Sequence, residues 1–161
     1  MNPDTGLSSR ARVERDADRL GLPVRIVERP NAGSLSEAAS LLGILPGRLV
    51  KTLVVKRADG TFLFALIPGG RKISWPKLRA LVGVNKLVLP DATVAFEATG
   101  FERGTITPIG STNAWPVYAD SLIAGSEIAL GAGDHGHSLF VDPDSLVAAL
   151  GATLADISEP E

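Results

Sequence analysis

Two apolar, largely β-branched or aromatic runs, Leu49 to Val55 and Phe62 to Ile67, are separated only by Lys56-Arg57-Ala58-Asp59-Gly60-Thr61. The Asp-Gly pair is a tight-turn signal, so these runs form an antiparallel hairpin. A parallel crossover would need a dozen residues or more between them. The hairpin therefore rules out a purely parallel doubly wound sheet. Around it, strands and short helices alternate. Leu7 to Leu20 suits a surface helix stopped by Gly21, and Val24 to Glu28 alternates as a strand. Ser34 and Glu37 form a capping box for a helix ended by Gly43, with Ala38, Leu41 and Leu42 toward the core. Ser74, followed by Trp75-Pro76, opens a helix closed by Gly83; Lys86 to Leu89 is a strand; and Pro90-Asp91 opens a helix ending near Gly100. Further strands are expected near Val117 to Ala119, Glu127 to Leu130 and Ser138 to Val141, then a helix capped by Asp142 and ended by Gly151. The expected fold class is mixed α/β, a curled mixed sheet flanked by short helices.

With 161 residues, 45% of them hydrophobic and 21% charged, the chain suits one globular domain, 1–161, with a real core. No apolar run approaches the roughly 18 residues of a membrane span, and Met1 to Arg19 lacks a signal-peptide hydrophobic region, so the expected compartment is the cytoplasm. The absence of cysteine excludes thiolate nucleophiles, disulfides and thiolate metal sites. The net charge of −2 conceals a segregation. Residues 48–86 hold Arg48, Lys51, Lys56, Arg57, Arg71, Lys72, Lys77, Arg79 and Lys86 against Asp59 alone, whereas residues 87–161 hold Arg103 against eleven acids. So basic a block suggests either a local polyanion contact or a solvated surface.

Three places carry candidate chemistry. Lys51 interrupts an apolar strand and shares a face with Leu49, Leu53 and Val55. It either faces a cavity, where its ammonium could hold a phosphate or carbonyl oxygen, or snorkels from the strand end. Gly104-Thr105-Ile106-Thr107-Pro108-Ile109-Gly110 is a loop that could aim backbone amides at an oxygen gaining charge, although many such loops are only turns. Gly131-Ala132-Gly133-Asp134-His135-Gly136-His137 places small residues beside the only two histidines. A metal site is not expected there, since His-x-His with one Asp lacks further ligands. Neither a Gly-x-Ser-x-Gly elbow nor a Walker or dinucleotide motif occurs.

From about Ser34 to Leu150 the chain resembles the YbaK/EbsC family and the editing insertion domain of bacterial prolyl-tRNA synthetases. The resemblance is carried by "LVKTLVV" (Leu49 to Val55), "ATGFERGTITPIG" (Ala98 to Gly110) and the "GAG" of Gly131 to Gly133. It implies a barrel-like mixed sheet and hydrolysis, in trans, of the ester of a mischarged tRNA, usually proline tRNA, with no cofactor and no protein nucleophile. By that resemblance Lys51 would bind the terminal adenosine's phosphate or the aminoacyl end, and Gly104, Thr105, Ile106, Thr107 and Pro108 would bind and polarise the carbonyl. Thr52, Gly131, Ala132, Gly133, Asp134 and His135 would line the substrate pocket. The charge segregation, rather than the resemblance, suggests that Arg48, Arg71, Lys72, Lys77 and Arg79 meet the tRNA acceptor arm; prolyl-tRNA synthetase is a further expected partner, and no membrane is involved. Alanine-specific relatives carry a histidine near the position of Gly133, two residues from His135, so no catalytic role transfers to His135. The alternative is a non-catalytic module of the same fold that binds tRNA ends or a synthetase.

Overall fold

The computed structural model describes residues 8–161. Its helices are α1 (Ser9–Arg19), α2 (Leu35–Leu42), α3 (Trp75–Val82), α4 (Ala92–Thr99) and α5 (Pro143–Leu150). Its strands are β1 (Val24–Glu28), β2 (Val50–Arg57), β3 (Phe62–Pro68), β4 (Arg71–Ile73), β5 (Leu87–Val88), β6 (Val117–Asp120), β7 (Ile128–Gly131), β8 (His137–Val141), β9 (Thr153–Ala155) and β10 (Ser158–Pro160).

Short polar side chains begin most of the helices because they satisfy first-turn amides that have no intrahelical partner. Ser8 accepts from the Ala11 amide, Ser34 from Glu37, Asp91 from Val94 and Asp142 from Ser145. Leu7, where the first helix was expected to begin, lies outside the described residues. Glu37 reaches back to the amide of Gly33 (2.9 Å), one residue before the partner a capping box predicts. In α2 the buried stripe is Ala38 and Ala39, with Leu42 packed beside them. Leu41 departs from expectation at 45% exposure, because a step of about 100° per residue puts it on the flank of that stripe.

The hairpin forms as expected, β2 pairing antiparallel with β3 from Val50↔Pro68 to Lys56↔Phe62. In its turn Asp59 accepts from the Thr61 hydroxyl (2.6 Å) and amide (2.9 Å). Those bonds hold the Asp59 carboxyl below its ordinary range. β2 and β3 lie inside a five-stranded sheet of order β5-β2-β3-β6-β9, antiparallel on the β5 side and parallel from β3 through β9. The sheet is therefore mixed. A second, antiparallel sheet runs β1-β8-β7, and β10 pairs with β4 in a third. A single parallel bridge, Leu49↔Ala129, joins the entry to β2 with β7. Among the described residues the strands thus fall into three sheets that do not close, so the barrel-like expectation reduces to a mixed α/β fold.

Alternation along the hairpin feeds two cores. Val50, Val54, Phe64 and Leu66 pack with Val13, Phe101, Ile109 and Leu130, while Val55, Leu63, Ala65 and Ile67 pack with Ile73, Leu78 and Ile157. β3 is buried on both faces, and each of its large side chains contributes about 1.5–3 kcal/mol by leaving water. This double burial fixes the register of β2, and hence where Lys51 and Thr52 emerge.

Candidate active site

The start of β2, the end of β7 and the loop after α4 meet at one cleft of about 650 Å³. The loop is pinned from several sides. Thr105 donates from its amide (3.0 Å) and hydroxyl (2.7 Å) to the Glu102 carbonyl, and its own carbonyl accepts from the Gly133 amide at 3.0 Å. The Gly110 amide donates to Asp16 on α1 at 2.7 Å. Thr107, Pro108 and Ile109 are buried behind the loop. Gly104 holds φ +91°, a backbone conformation that side chains with a Cβ rarely adopt. Gly131 serves a different purpose: a Cβ there would stand 2.4 Å from the Ile106 carbonyl oxygen, so only glycine lets β7 lie directly against the loop. Among the described residues the amides of Gly104 and Ile106 donate to no acceptor.

Of the residues expected from the sequence, Lys51, Thr52, Gly104, Ile106 and Gly131 line the cleft together. The Thr52 hydroxyl is buried and has no hydrogen-bond partner among the described residues. Lys51 is a quarter exposed, and its ammonium donates to the Arg71 carbonyl and to Glu161 at 2.9 Å. It stands at the cleft margin with its head tied to the last strand's segment. Thr105, Thr107 and Pro108 support the loop from behind. Ala132 is buried, and Gly133 backs onto the Ser9 carbonyl and Phe101. Asp134 and His135 lie outside the cleft wall; His135 is exposed, with Nε2 3.0 Å from Glu102 Oε2.

The basic block is distributed rather than gathered. Arg48 donates to the carbonyls of Leu122 and Ile123, bracing the turn before β7. Arg71 donates to the Ser158 hydroxyl (2.7 Å), Lys77 pairs with Asp156 (3.0 Å), and Lys72 stands 4.0 Å from Glu159. The Arg79 side chain alone of the five makes no hydrogen bond or ion pair among the described residues.

Sequence reasoning missed five polar residues of the wall, Arg29, Ser34, Asp91, Arg103 and Ser138, and His137 of the third candidate stretch lines it as well. Arg103 was legible, since it stands next to Gly104 inside the loop motif. Arg29 carried no local signal, because only the pairing of β1 with β8 brings it beside Ser138. Among the described residues no three of His, Cys, Asp and Glu gather as a metal site, and no helix is long and apolar enough to cross a membrane.

Residues 29–149 match the family model described as the aminoacyl-tRNA editing domain. The chain is 30% identical over 129 residues to EbsC of Enterococcus faecalis, described as a candidate Cys-tRNA(Pro)/Cys-tRNA(Cys) deacylase, covering 80% of this chain and 79% of that one. It is 35% identical over 98 residues to the proline–tRNA ligase of Moorella thermoacetica, covering 61% of this chain but only 17% of the ligase. A solved structure described as a candidate trans-editing enzyme for prolyl-tRNA synthetase superposes with a TM-score of 0.87 at 28% identity, over 99% of both chains.

Proposed function

The chain belongs to the aminoacyl-tRNA editing domain family, and from that premise we propose that its cleft hydrolyses the ester of a mischarged tRNA, proline tRNA first, acting in trans in the cytoplasm. The observation that carries this reading is that the start of β2, the Gly104–Ile106 loop and Gly131 wall one cleft, in which no cysteine is present and no serine sits on a nucleophile elbow. An aminoacyl ester is already activated, so positioning and electrostatic stabilisation suffice. Water adds to the carbonyl carbon and gives up a proton, and the carbonyl oxygen takes the negative charge. The amides of Gly104 and Ile106, having no other acceptor, receive that oxygen, and the Lys51 ammonium adds a positive charge at the margin. The bond to the ribose oxygen then breaks and that oxygen takes a proton, leaving free amino acid and a tRNA with its terminal hydroxyl restored. The Thr52 hydroxyl, lacking a partner, and the face of Gly131 receive the amino-acid end.

Incubating excess protein with a panel of mischarged proline tRNAs and following release of labelled amino acid tests the proposal. Release from at least one is expected. Release from none, with tRNA still bound, would leave a binding module of the same fold.

A further inference from the structure

The cleft wall carries three cations, Arg29, Lys51 and Arg103, and one acid, Asp91. Asp91 is engaged as the N-cap of α4, and Lys51 is paired with Glu161. Among the described residues, the two arginines are therefore the cations of the cleft wall that have no ion pair. Arg29 is half-buried and held in place: Nε donates to the Ser138 hydroxyl at 3.0 Å and Nη1 to the Pro30 carbonyl at 3.1 Å. Its Nη2 makes no hydrogen bond among the described residues, and that leaves one side of a planar fork open to an acceptor. Arg103 is exposed and makes neither hydrogen bond nor ion pair among the described residues, directly before the Gly104 amide. A fixed guanidinium and an untethered one on a single cleft suit an anion with several oxygens.

We propose that Arg29 and Arg103 form a clamp for the phosphodiester just 5′ of the nucleoside that carries the ester. The inference rests on the deacylase reading and deepens it: the clamp holds the RNA end in the cleft and so raises the affinity with which the ester is presented to the Gly104 loop. Lys51 is left to the ester itself. Much of the basic block, by contrast, is committed to contacts within the chain.

Two substrates separate the possibilities: an aminoacylated minihelix with a CCA end, and the same amino acid esterified to adenosine alone, which has no phosphodiester. Arg29→Gln and Arg103→Gln should each raise the half-saturating minihelix concentration about tenfold, leave the maximal single-turnover rate within about twofold, and leave hydrolysis of the aminoacyl-adenosine unchanged. Each should lower the salt slope of minihelix binding by about 0.7–0.9. Arg29→Lys should recover only part of the affinity, since an ammonium keeps the charge but not the fork. Equal loss on both substrates, or parental behaviour on the minihelix, would overturn the clamp. Arg103→Gln keeps the test open if Arg29→Gln fails to fold. Should the parent hydrolyse neither substrate, the deacylase reading falls, and anisotropy with an uncharged minihelix decides the clamp: weakened binding by the variants supports it and parental affinity overturns it.

Discussion

At the scale of single residues, Lys51 concentrates the most consequence in the fewest atoms. Replacing it with alanine removes the ammonium from the cleft margin while Val50 and Val54 stay in the core. Single-turnover deacylation should fall by at least about tenfold, roughly 1.4 kcal/mol of transition-state stabilisation, with little change in the melting temperature. A folded variant that deacylates at the parental rate would reduce Lys51 to a tether for the chain's last residues. The lysine and the Gly104 loop were visible in the sequence because each breaks a local pattern, one a charge in an apolar strand and the other glycines bracketing hydroxyls. Which loop residues face the cleft was not visible. Thr105 and Thr107 look like ligands in a string of letters, yet both are buried, Thr105 with its hydroxyl on the Glu102 carbonyl. Gly131 owes its identity to the Ile106 carbonyl, a contact between chain segments 25 residues apart that no local pattern announces.

At the scale of elements, the hairpin and the capped helices were legible because their causes are local: a turn pair, alternation, a short polar cap, a closing glycine. Of the brief strands, β5 was expected as well, while β4, β9 and β10 were not. β4, β9 and β10 have three residues each, too few for alternation to register, and they exist because longer strands offer them an edge. β10 matters most for function, since its pairing with β4 brings Glu161 to Lys51. Glu161 is more than half exposed, so the pair is a weak one, worth at most about 1 kcal/mol. Glu161→Gln should therefore raise the deacylation rate at subsaturating tRNA, by no more than about fivefold, as the ammonium is freed for the substrate. A fall in rate instead would mean that the carboxylate holds Lys51 in its working position.

At the scale of the whole molecule, the sequence shows a basic middle and an acidic remainder, and the fold lays part of one upon the other. Asp156, Glu159 and Glu161 reach Lys77, Lys72 and Lys51 from a segment some eighty residues or more further along the chain. These carboxylates are in effect counterions that cannot diffuse away. When a lysine neutralises a phosphate, the cation condensed on that phosphate is released into solution, which drives binding and makes affinity fall with salt. When the lysine is first drawn from a tethered carboxylate, that carboxylate stays beside the RNA and holds a cation in its turn, so the net release is small and the contact is nearly invisible to a salt titration. The parent protein should thus show a shallower salt dependence of tRNA binding than its count of lysines and arginines implies. Asp156→Asn combined with Glu159→Gln should steepen the slope by up to about two contacts' worth, as no carboxylate is left beside Lys77 and Lys72 to hold the cations that the phosphates release. An unchanged slope would mean that tRNA never visits those lysines. If the slope does steepen, the chain's own acidic end acts as a resident competitor, and RNA settles on this surface only by exchange.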